Sequence, residues 1–157
     1  MSELRDEIEE LYARYAELLD DDCDLDGWLD LFLDDTRYEL ISRENFQLNL
    51  PVGLIICENK GMLKDRLFAM RELMLATPRW TRRVIGNLRV RAMQGDEVHV
   101  RAGYIIAQGL RAEPLALFSA GEFRDILTRG DDGNLRFRHK LTIYDHDLIA
   151  NSVVKPL

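Results

Sequence analysis

Apolar side chains in the first twenty residues recur every three or four positions, with glutamates and arginines between them, which predicts an amphipathic helix. A short second helix is predicted next, because Asp24 or Asp26 can cap its first turn. The same periodicity predicts a third helix over residues 61–76, which ends at Thr77-Pro78 because the residue before a proline avoids helical geometry.

The rest of the chain alternates between apolar and polar positions, as strands do. Residues 43–60 fit neither period and contain Pro51 and Gly53, so we predict a long loop with one short extended piece. A strand-to-strand turn is expected at "GDDGN". Early helices followed by long antiparallel strands predict an α+β domain whose sheet curls around the helices. The predicted strands are residues 37–42, 82–93, 98–109, 115–129 and 135–144.

The 157 residues are expected to form a single domain, residues 1–157. No apolar run reaches the roughly 20 residues that span a bilayer, and the acidic start of the chain does not resemble a signal peptide. Two cysteines give no disulfide framework. These features predict a cytoplasmic protein that does not bind a membrane.

Charge is distributed unevenly along the chain. The net charge of −7 combines 14 acidic and 2 basic side chains in residues 1–35 with 14 acidic and 19 basic ones in residues 36–157. Nucleic acid is an unsuitable partner for a chain of this overall sign. Composition favours a solvated acidic helix beside an ordinary sheet, although separated charge can also orient a neighbouring subunit.

The stretch Asp145-His146-Asp147 places a histidine between two carboxylates, as in some metal sites. Strict alternation along the last strand would put Phe137 and His139 on one face and Lys140 on the other, with His146 turned away from both aspartates. A metal needs its ligands at about 2.0–2.3 Å from one point, which this register prevents. We therefore expect no metal site here.

Common catalytic motifs are absent from the sequence: it contains no phosphate-binding loop, nucleophile elbow or zinc-protease signature. A stand-alone enzyme would need an acid/base pair, such as Tyr15 or Tyr104 with His139 and a carboxylate such as Asp35. A ligand-binding module without chemistry is a further alternative. The sequence permits both functions and favours neither.

The order of several segments is more informative than any one motif. "YARYAELLDD", "WLDLFLDDTRYELISRENF", "LPVGLI", "GMLKDRL" and "RWTRRVIGNLRV" follow one another, and the chain ends in "NSVVKPL". This series resembles the small (beta) subunits of aromatic-ring-hydroxylating oxygenases, the Rieske non-haem iron enzymes, over nearly the whole chain. It is most similar to the branch acting on aromatic acids such as salicylate, anthranilate and terephthalate.

The resemblance implies a cone-shaped fold like that of nuclear transport factor 2, with a strongly curved antiparallel or mixed sheet around about three helices. It also implies a non-catalytic structural role in an NAD(P)H-dependent ring-hydroxylating mono- or dioxygenase. The Rieske [2Fe–2S] centre and the mononuclear Fe(II) are then expected on the large (alpha) subunit, and no cofactor on this chain. Three large and three small chains are expected to assemble, with contacts between small subunits.

The resemblance further implies that the functional residues of this chain lie at subunit interfaces. We expect an ion-pair network to include Asp65 and Arg66, and we expect the tail, residues 151–157, to pack on a neighbouring subunit. The candidate interface residues are Arg43, Glu44, Asn45, Asp65, Arg66, Arg82, Arg83, Val153, Pro156 and Leu157.

Overall fold

A computed structural model describes residues 1–76, 79–146 and 156–157. One six-stranded sheet forms in the order β2-β1-β6-β5-β4-β3. All neighbouring strands are antiparallel except β1 and β6, which are parallel, so the sheet is mixed. The helices are α1 Ser2–Asp20, α2 Leu25–Leu29, α3 Arg43–Gln47 and α4 Lys60–Ala76; the strands are β1 Phe32–Ser42, β2 Ile55–Cys57, β3 Arg79–Gln94, β4 Glu97–Leu110, β5 Ala116–Arg129 and β6 Leu135–Tyr144.

The apolar stripe of α1 forms the centre of the core, as its periodicity predicts. Its tyrosines and leucines are buried against aromatic rings from α2 and the sheet. The Asp24 carboxylate accepts a hydrogen bond from the Gly27 N–H at 2.9 Å and so caps α2. Of the two cap residues that the sequence allowed, the structure selects Asp24.

The prediction of a long loop over residues 43–60 was wrong at its start. The Ser42 hydroxyl accepts from the Asn45 N–H at 3.2 Å, which supplies the cap that lets residues 43–47 form α3. The extended piece that the sequence predicted is β2. Between α3 and β2 the chain is irregular, and the Asn45 side-chain amide donates to the Val52 carbonyl at 3.1 Å.

A bulge in β6 reverses the predicted faces of its second half. Phe137 pairs with Leu127 and His139 with Ile126, so Arg138 is the extra residue. Beyond it Lys140 is buried with Phe137, whereas His139 is only partly buried. The prediction that Lys140 and Phe137 lie on opposite faces was therefore wrong, because one inserted residue shifts the alternation by one position.

Candidate functional site

An open cavity of about 1220 Å³ is lined by residues of α1, β3, β4 and β5 and includes side chains from both faces of the sheet. Glycines at its wall, such as Gly86 and Gly103, leave the sheet surface bare, since no other heavy atom lies closer than 3.9 Å to a Cβ built there. Arginines dominate the charged part of the wall. The arginines are Arg5, Arg43, Arg83, Arg89, Arg91 and Arg101. The acidic residues of the wall are Glu9, Glu122 and Asp145.

Glu122 is the centre of an ionic cluster beside this cavity. It accepts from Arg43 at 2.8 Å, from Arg101 at 2.5 Å and from Arg124 at 2.8 Å. Arg43 also donates to Asp145 at 2.8 Å. Burial alone would raise the pKa of Glu122, but the three guanidinium groups hold it below its ordinary value. Arg43, a predicted interface residue, is thus oriented by this cluster.

Three arginines of the outer sheet face lie directly opposite one another on neighbouring strands. Arg89 of β3 pairs in register with Arg101 of β4, which pairs with Arg124 of β5. We call these three residues the arginine row. Like charges in directly opposite positions destabilise a sheet, and Glu122 is the carboxylate that accepts from two of the three. Arg89 and the adjacent Arg91 are exposed and have no side-chain partner among the described residues.

Inside the cone, Lys140 and Asp125 form an ion pair that sequence reasoning missed. Both side chains are 0% exposed, with Nζ and Oδ2 at 3.0 Å. Asp125 also accepts from the Tyr12 hydroxyl at 2.5 Å and from the Leu141 N–H at 3.1 Å. The Lys140 ammonium lies 3.1 Å from the Phe123 ring centroid. Because only the bulge in β6 turns Lys140 inward, no sequence signal indicated this pair.

Burial determines how the groups of this cluster titrate. It lowers the pKa of Lys140 to about 8, a shift that Asp125 partly offsets. Burial also raises the pKa of Asp125 above its ordinary value and that of Tyr12 well above it. Aromatic rings surround the ammonium closely, and its donors are directed at Asp125, so the cluster acts as a structural anchor within the core.

Arg83 and the end of the chain, both predicted to lie at an interface, are buried within the subunit. The Arg83 guanidinium donates to the Asp20 carboxylate and the Pro156 carbonyl, and its side chain is 1% exposed. Leu157 is also 1% exposed, and its main-chain oxygen accepts from the Tyr15 hydroxyl. Alternation along β3 turns Arg83 inward, where burying its charge requires Asp20. Both residues are therefore engaged with groups of their own chain, and their place at an interface stays a prediction.

The other candidate interface residues have varied environments. Arg82 is exposed and pairs with Asp21 at 2.8 Å. Glu44, Asp65 and Arg66 are exposed, and no ion pair within the described part of the chain holds the last two together. Val153 lies outside the described residues. Pro156 is buried against Arg83, so the described end of the predicted tail packs on its own chain.

A loop between α3 and β2 carries an unusual series of exposed apolar side chains. Its residues Leu48, Leu50, Val52 and Leu54 are each at least 44% exposed, and Asn45 fixes the loop to α3. Helix α4 also exposes two apolar side chains, Met62 and Phe68, the latter 71% exposed. We call the loop residues the apolar loop. Exposed apolar clusters of this kind mark contact surfaces in proteins.

A second exposed apolar surface lies on the outer sheet face beyond the glycines. Val84 of β3 pairs with Ile105 of β4, and their exposed fractions are 65% and 51%. Leu117 of β5 and Trp80 of β3 extend it with 66% and 65% exposed. The outer face of β3–β5 therefore has an apolar half and an arginine half.

The acid/base set required for a stand-alone enzyme is not brought together. Tyr104 bonds to Ser119 at 3.0 Å, His139 to Glu39 at 2.6 Å, and Asp35 pairs with Arg138 at 3.4 Å. Tyr15 bonds to Leu157, and none of these four predicted groups lines the cavity. The hydrogen bond to His139, together with one from Arg37, lowers the pKa of Glu39 to about 2, so both partners hold Glu39 as a carboxylate.

Within the described ranges, no three His, Cys, Asp or Glu side chains are grouped so that they could hold a metal ion. Asp145 contacts Arg43, whereas the His146 Nε2 lies 2.8 Å from the Ser119 hydroxyl, so the two residues point to different partners. Asp147 lies outside the described residues. The helices described are too short or too polar to cross a membrane.

Comparison with known proteins identifies the family. Residues 14–151 match the family model described as ring hydroxylating beta subunit. The anthranilate 1,2-dioxygenase small subunit of Burkholderia cepacia is 31% identical over 96% of this chain and 92% of its own length. A terephthalate 1,2-dioxygenase beta subunit from a Comamonas species is 23% identical over 92% of this chain and 93% of its own.

Solved structures agree with this match. A beta subunit from Novosphingobium aromaticivorans, assigned to an aromatic-ring-hydroxylating dioxygenase, has a TM-score of 0.85 and 32% identity, covering 95% of this chain and 94% of its own. A protein of the same organism described as a scytalone dehydratase has a TM-score of 0.71 at 18% identity, over 99% and 96% of the two chains, and shows the fold alone. The predicted family and the predicted α+β cone are both confirmed. The chain belongs to the ring-hydroxylating beta-subunit family.

Proposed function

We propose that this chain is the non-catalytic structural small subunit of a multicomponent aromatic-ring-hydroxylating oxygenase that acts on an aromatic acid. The observation that carries the proposal is the apolar loop, which exposes four aliphatic side chains although the fold has a filled core. A partner that covers such a surface stabilises the assembly in proportion to the apolar area removed from water.

The partner that we propose for the apolar loop is the large subunit. Arg43, Glu44 and Asn45 precede the loop on α3. We extend the proposed surface to the exposed residues Asp65 and Arg66 of α4. Interfaces combine an apolar centre with arginines and a polar rim, which is the composition of this surface. The proposed assembly contains three large and three small chains in the cytoplasm and receives electrons from NAD(P)H.

The redox groups of such an oxygenase do not fit this chain. A Rieske centre needs two cysteines and two histidines around one cluster. Cys23 is exposed at the end of α1 and Cys57 is buried in β2, and neither has a histidine within three residues. We therefore place the Rieske centre and the mononuclear iron, as well as the oxygen chemistry, on the large subunit.

Co-purification tests the proposal directly. A tagged chain from its native host is weighed by native mass spectrometry with whatever accompanies it, and the visible spectrum of the same sample is recorded. We expect a brown complex in which a larger iron–sulfur protein is present in equal copy number. A colourless monomer or dimer without a companion contradicts the proposal and revives the stand-alone enzyme or ligand-binding alternatives.

Two single substitutions then test the proposed interface. Leu50→Asp places a charge in the apolar loop and should lower the recovery of the large subunit by about tenfold, as hot-spot changes do. Met93→Asp is the matched control, because Met93 is also apolar and 56% exposed but lies near the end of β3, at the other edge of the sheet from β2. Equal recovery with both variants contradicts the assignment of the loop to the interface.

A further inference from the structure

The arginine row needs an anionic partner from outside the subunit. Arg89, Arg101 and Arg124 lie directly opposite one another across three strands, and Arg91 adds a fourth positive charge beside them. Glu122 is shared by Arg101, Arg124 and Arg43. Arg101 and Arg124 remain 48% and 41% exposed despite those bonds, so their guanidinium groups are accessible from solvent.

The chain itself carries a surface of the opposite charge. Glu3, Asp6 and Glu10 are exposed on α1, and at 100° per residue they project from the side opposite its buried stripe. We call these three residues the acidic stripe. Like charges three or four residues apart destabilise a helix, so this stripe also gains from a partner of opposite charge.

The two surfaces match in length. Residues 3 and 10 of a helix are about 10.5 Å apart along its axis, at a rise of about 1.5 Å per residue. Three neighbouring strands span about 9.6 Å, at about 4.8 Å between strands. Three carboxylates of the acidic stripe can therefore each approach one arginine of the row. Within one subunit they do not meet, because Arg89 and Arg91 have no side-chain partner in the part of the chain that the structure describes.

We propose that the acidic stripe of one copy of this chain docks on the arginine row of a second copy. The contact is heterologous, since different surfaces of the two copies meet, and such contacts build rings when the rotation closes. The apolar half of the same sheet face, which includes Val84 and Ile105, lies next to the arginine row. The neighbouring copy therefore covers this apolar half as well, and its burial supplies most of the affinity. This inference rests on the proposed function, for which it names the contact between small subunits.

Charge reversal in two separate variants tests the contact. Arg89→Glu/Arg91→Glu changes the row without breaking any side-chain contact described in the structure, and Asp6→Lys/Glu10→Lys changes the stripe. The full chain is studied alone by sedimentation equilibrium between about 10 and 200 μM, at 50 and 500 mM salt. We expect the unmodified chain to self-associate, less tightly at high salt. Each variant should associate at least about tenfold more weakly, because attraction becomes repulsion.

An equimolar mixture of the two variants is the decisive sample. In the mixture every contact between unlike chains joins opposite charges again, and two of the three contacts in a ring of three copies can be of this kind. Association should therefore be at least about threefold tighter than that of either variant alone. The control Lys64→Glu/Arg111→Glu makes the same change in net charge at exposed positions away from the row and should associate normally. Circular dichroism checks that each variant is folded.

Several outcomes overturn the inference. An unmodified chain that stays monomeric at 200 μM, or a mixture that associates no better than its components, excludes the docking of stripe on row. If the row variant self-associates normally but no longer co-purifies with the large subunit, the arginine row binds the large subunit. Docking of a second copy of this chain on the row is then excluded. Co-purification of the unmodified chain with the large subunit tests the proposed function separately, so failure of one does not imply failure of the other.

Discussion

The buried Lys140–Asp125 pair gives the sharpest test of how this core is held together. Removing one member of a buried ion pair usually costs about 3–5 kcal/mol, because the other charge is left without compensation. Asp125→Asn leaves the Lys140 ammonium among aromatic rings without a carboxylate, so we expect the free energy of unfolding to fall by this full amount. Lys140→Met should cost less, about 2–3 kcal/mol, since Asp125 keeps the Tyr12 hydroxyl and the Leu141 N–H as donors.

The double variant completes a thermodynamic cycle. In Asp125→Asn/Lys140→Met no charge remains buried at the site, and the new amide can still accept from Tyr12. We expect the double variant to be more stable than the sum of the single losses indicates, by about 2 kcal/mol. Urea unfolding followed by far-ultraviolet circular dichroism gives each free energy of unfolding. Additive losses, with a coupling below about 0.5 kcal/mol, would refute the ion pair as the source of the effect.

The same pair predicts a pH dependence whose sign follows from Lys140. Its pKa is about 8 in the folded chain and 10.5 ordinarily, so between these values the unfolded chain binds more protons. The free energy of unfolding of the wild type should therefore rise with pH in this window, relative to Lys140→Met, by up to about 3 kcal/mol. The difference in free energy of unfolding between the two proteins cancels the contribution of the buried tyrosines, because both proteins contain them. A difference that stays constant from pH 7.5 to 10 contradicts the reasoning.

Four further substitutions separate buried from exposed features of the sheet. Arg83→Met should lower the free energy of unfolding by about 3–5 kcal/mol, whereas Arg82→Met, its exposed neighbour, should change it by at most about 1 kcal/mol in urea melts. Gly121→Ala should cost more than about 3 kcal/mol or prevent folding, because its Cβ would overlap a main-chain carbonyl oxygen of β6. The pKa of Glu39 is about 2 in the folded chain, below its ordinary value of 4.5, so the Glu39 carboxylate stabilises the fold above pH 4.5 and this contribution is lost as the pH falls toward 2. Glu39→Gln should remove that contribution. If the free energies of unfolding of variant and wild type show the same dependence on pH between 5 and 2, the reasoning is contradicted.

Periodicity predicted the helices and long strands well because each buries a regular stripe or face. Helix α1 follows the 3.6-residue pattern throughout, and β4 alternates buried and partly exposed positions along most of its length. The failures occurred where one local contact overrides the pattern. The Ser42 cap creates α3 in a segment without periodicity, and one inserted residue at Arg138 reverses the faces of β6.

The candidate site was harder to predict, because interfaces have no spacing rule within one chain. The family resemblance indicated Arg43 and its neighbours, but it could not show that Arg83 is committed to Asp20 in the core. The arginine row was also invisible in the sequence: Arg89, Arg101 and Arg124 are brought opposite one another only by strand register. Register depends on turn geometry as well as on the hydrophobic pattern, and the bulges along β3 and β4 shift it further.

The contents of the cone support the proposal that partners use the outside of this subunit. A stand-alone enzyme on this fold would need an interior space for a small molecule, lined by groups free to exchange protons. Here the Tyr12, Tyr15, Phe123 and Phe137 rings lie 5.6 to 6.2 Å apart around the Lys140 ammonium. The ionisable groups that sequence reasoning nominated bond to separate partners, while aliphatic side chains and arginines that a lone protein would bury or pair are left at the surface. Under the proposed function, the exposed groups of the apolar loop and the outer sheet face are therefore the ones that a partner contacts.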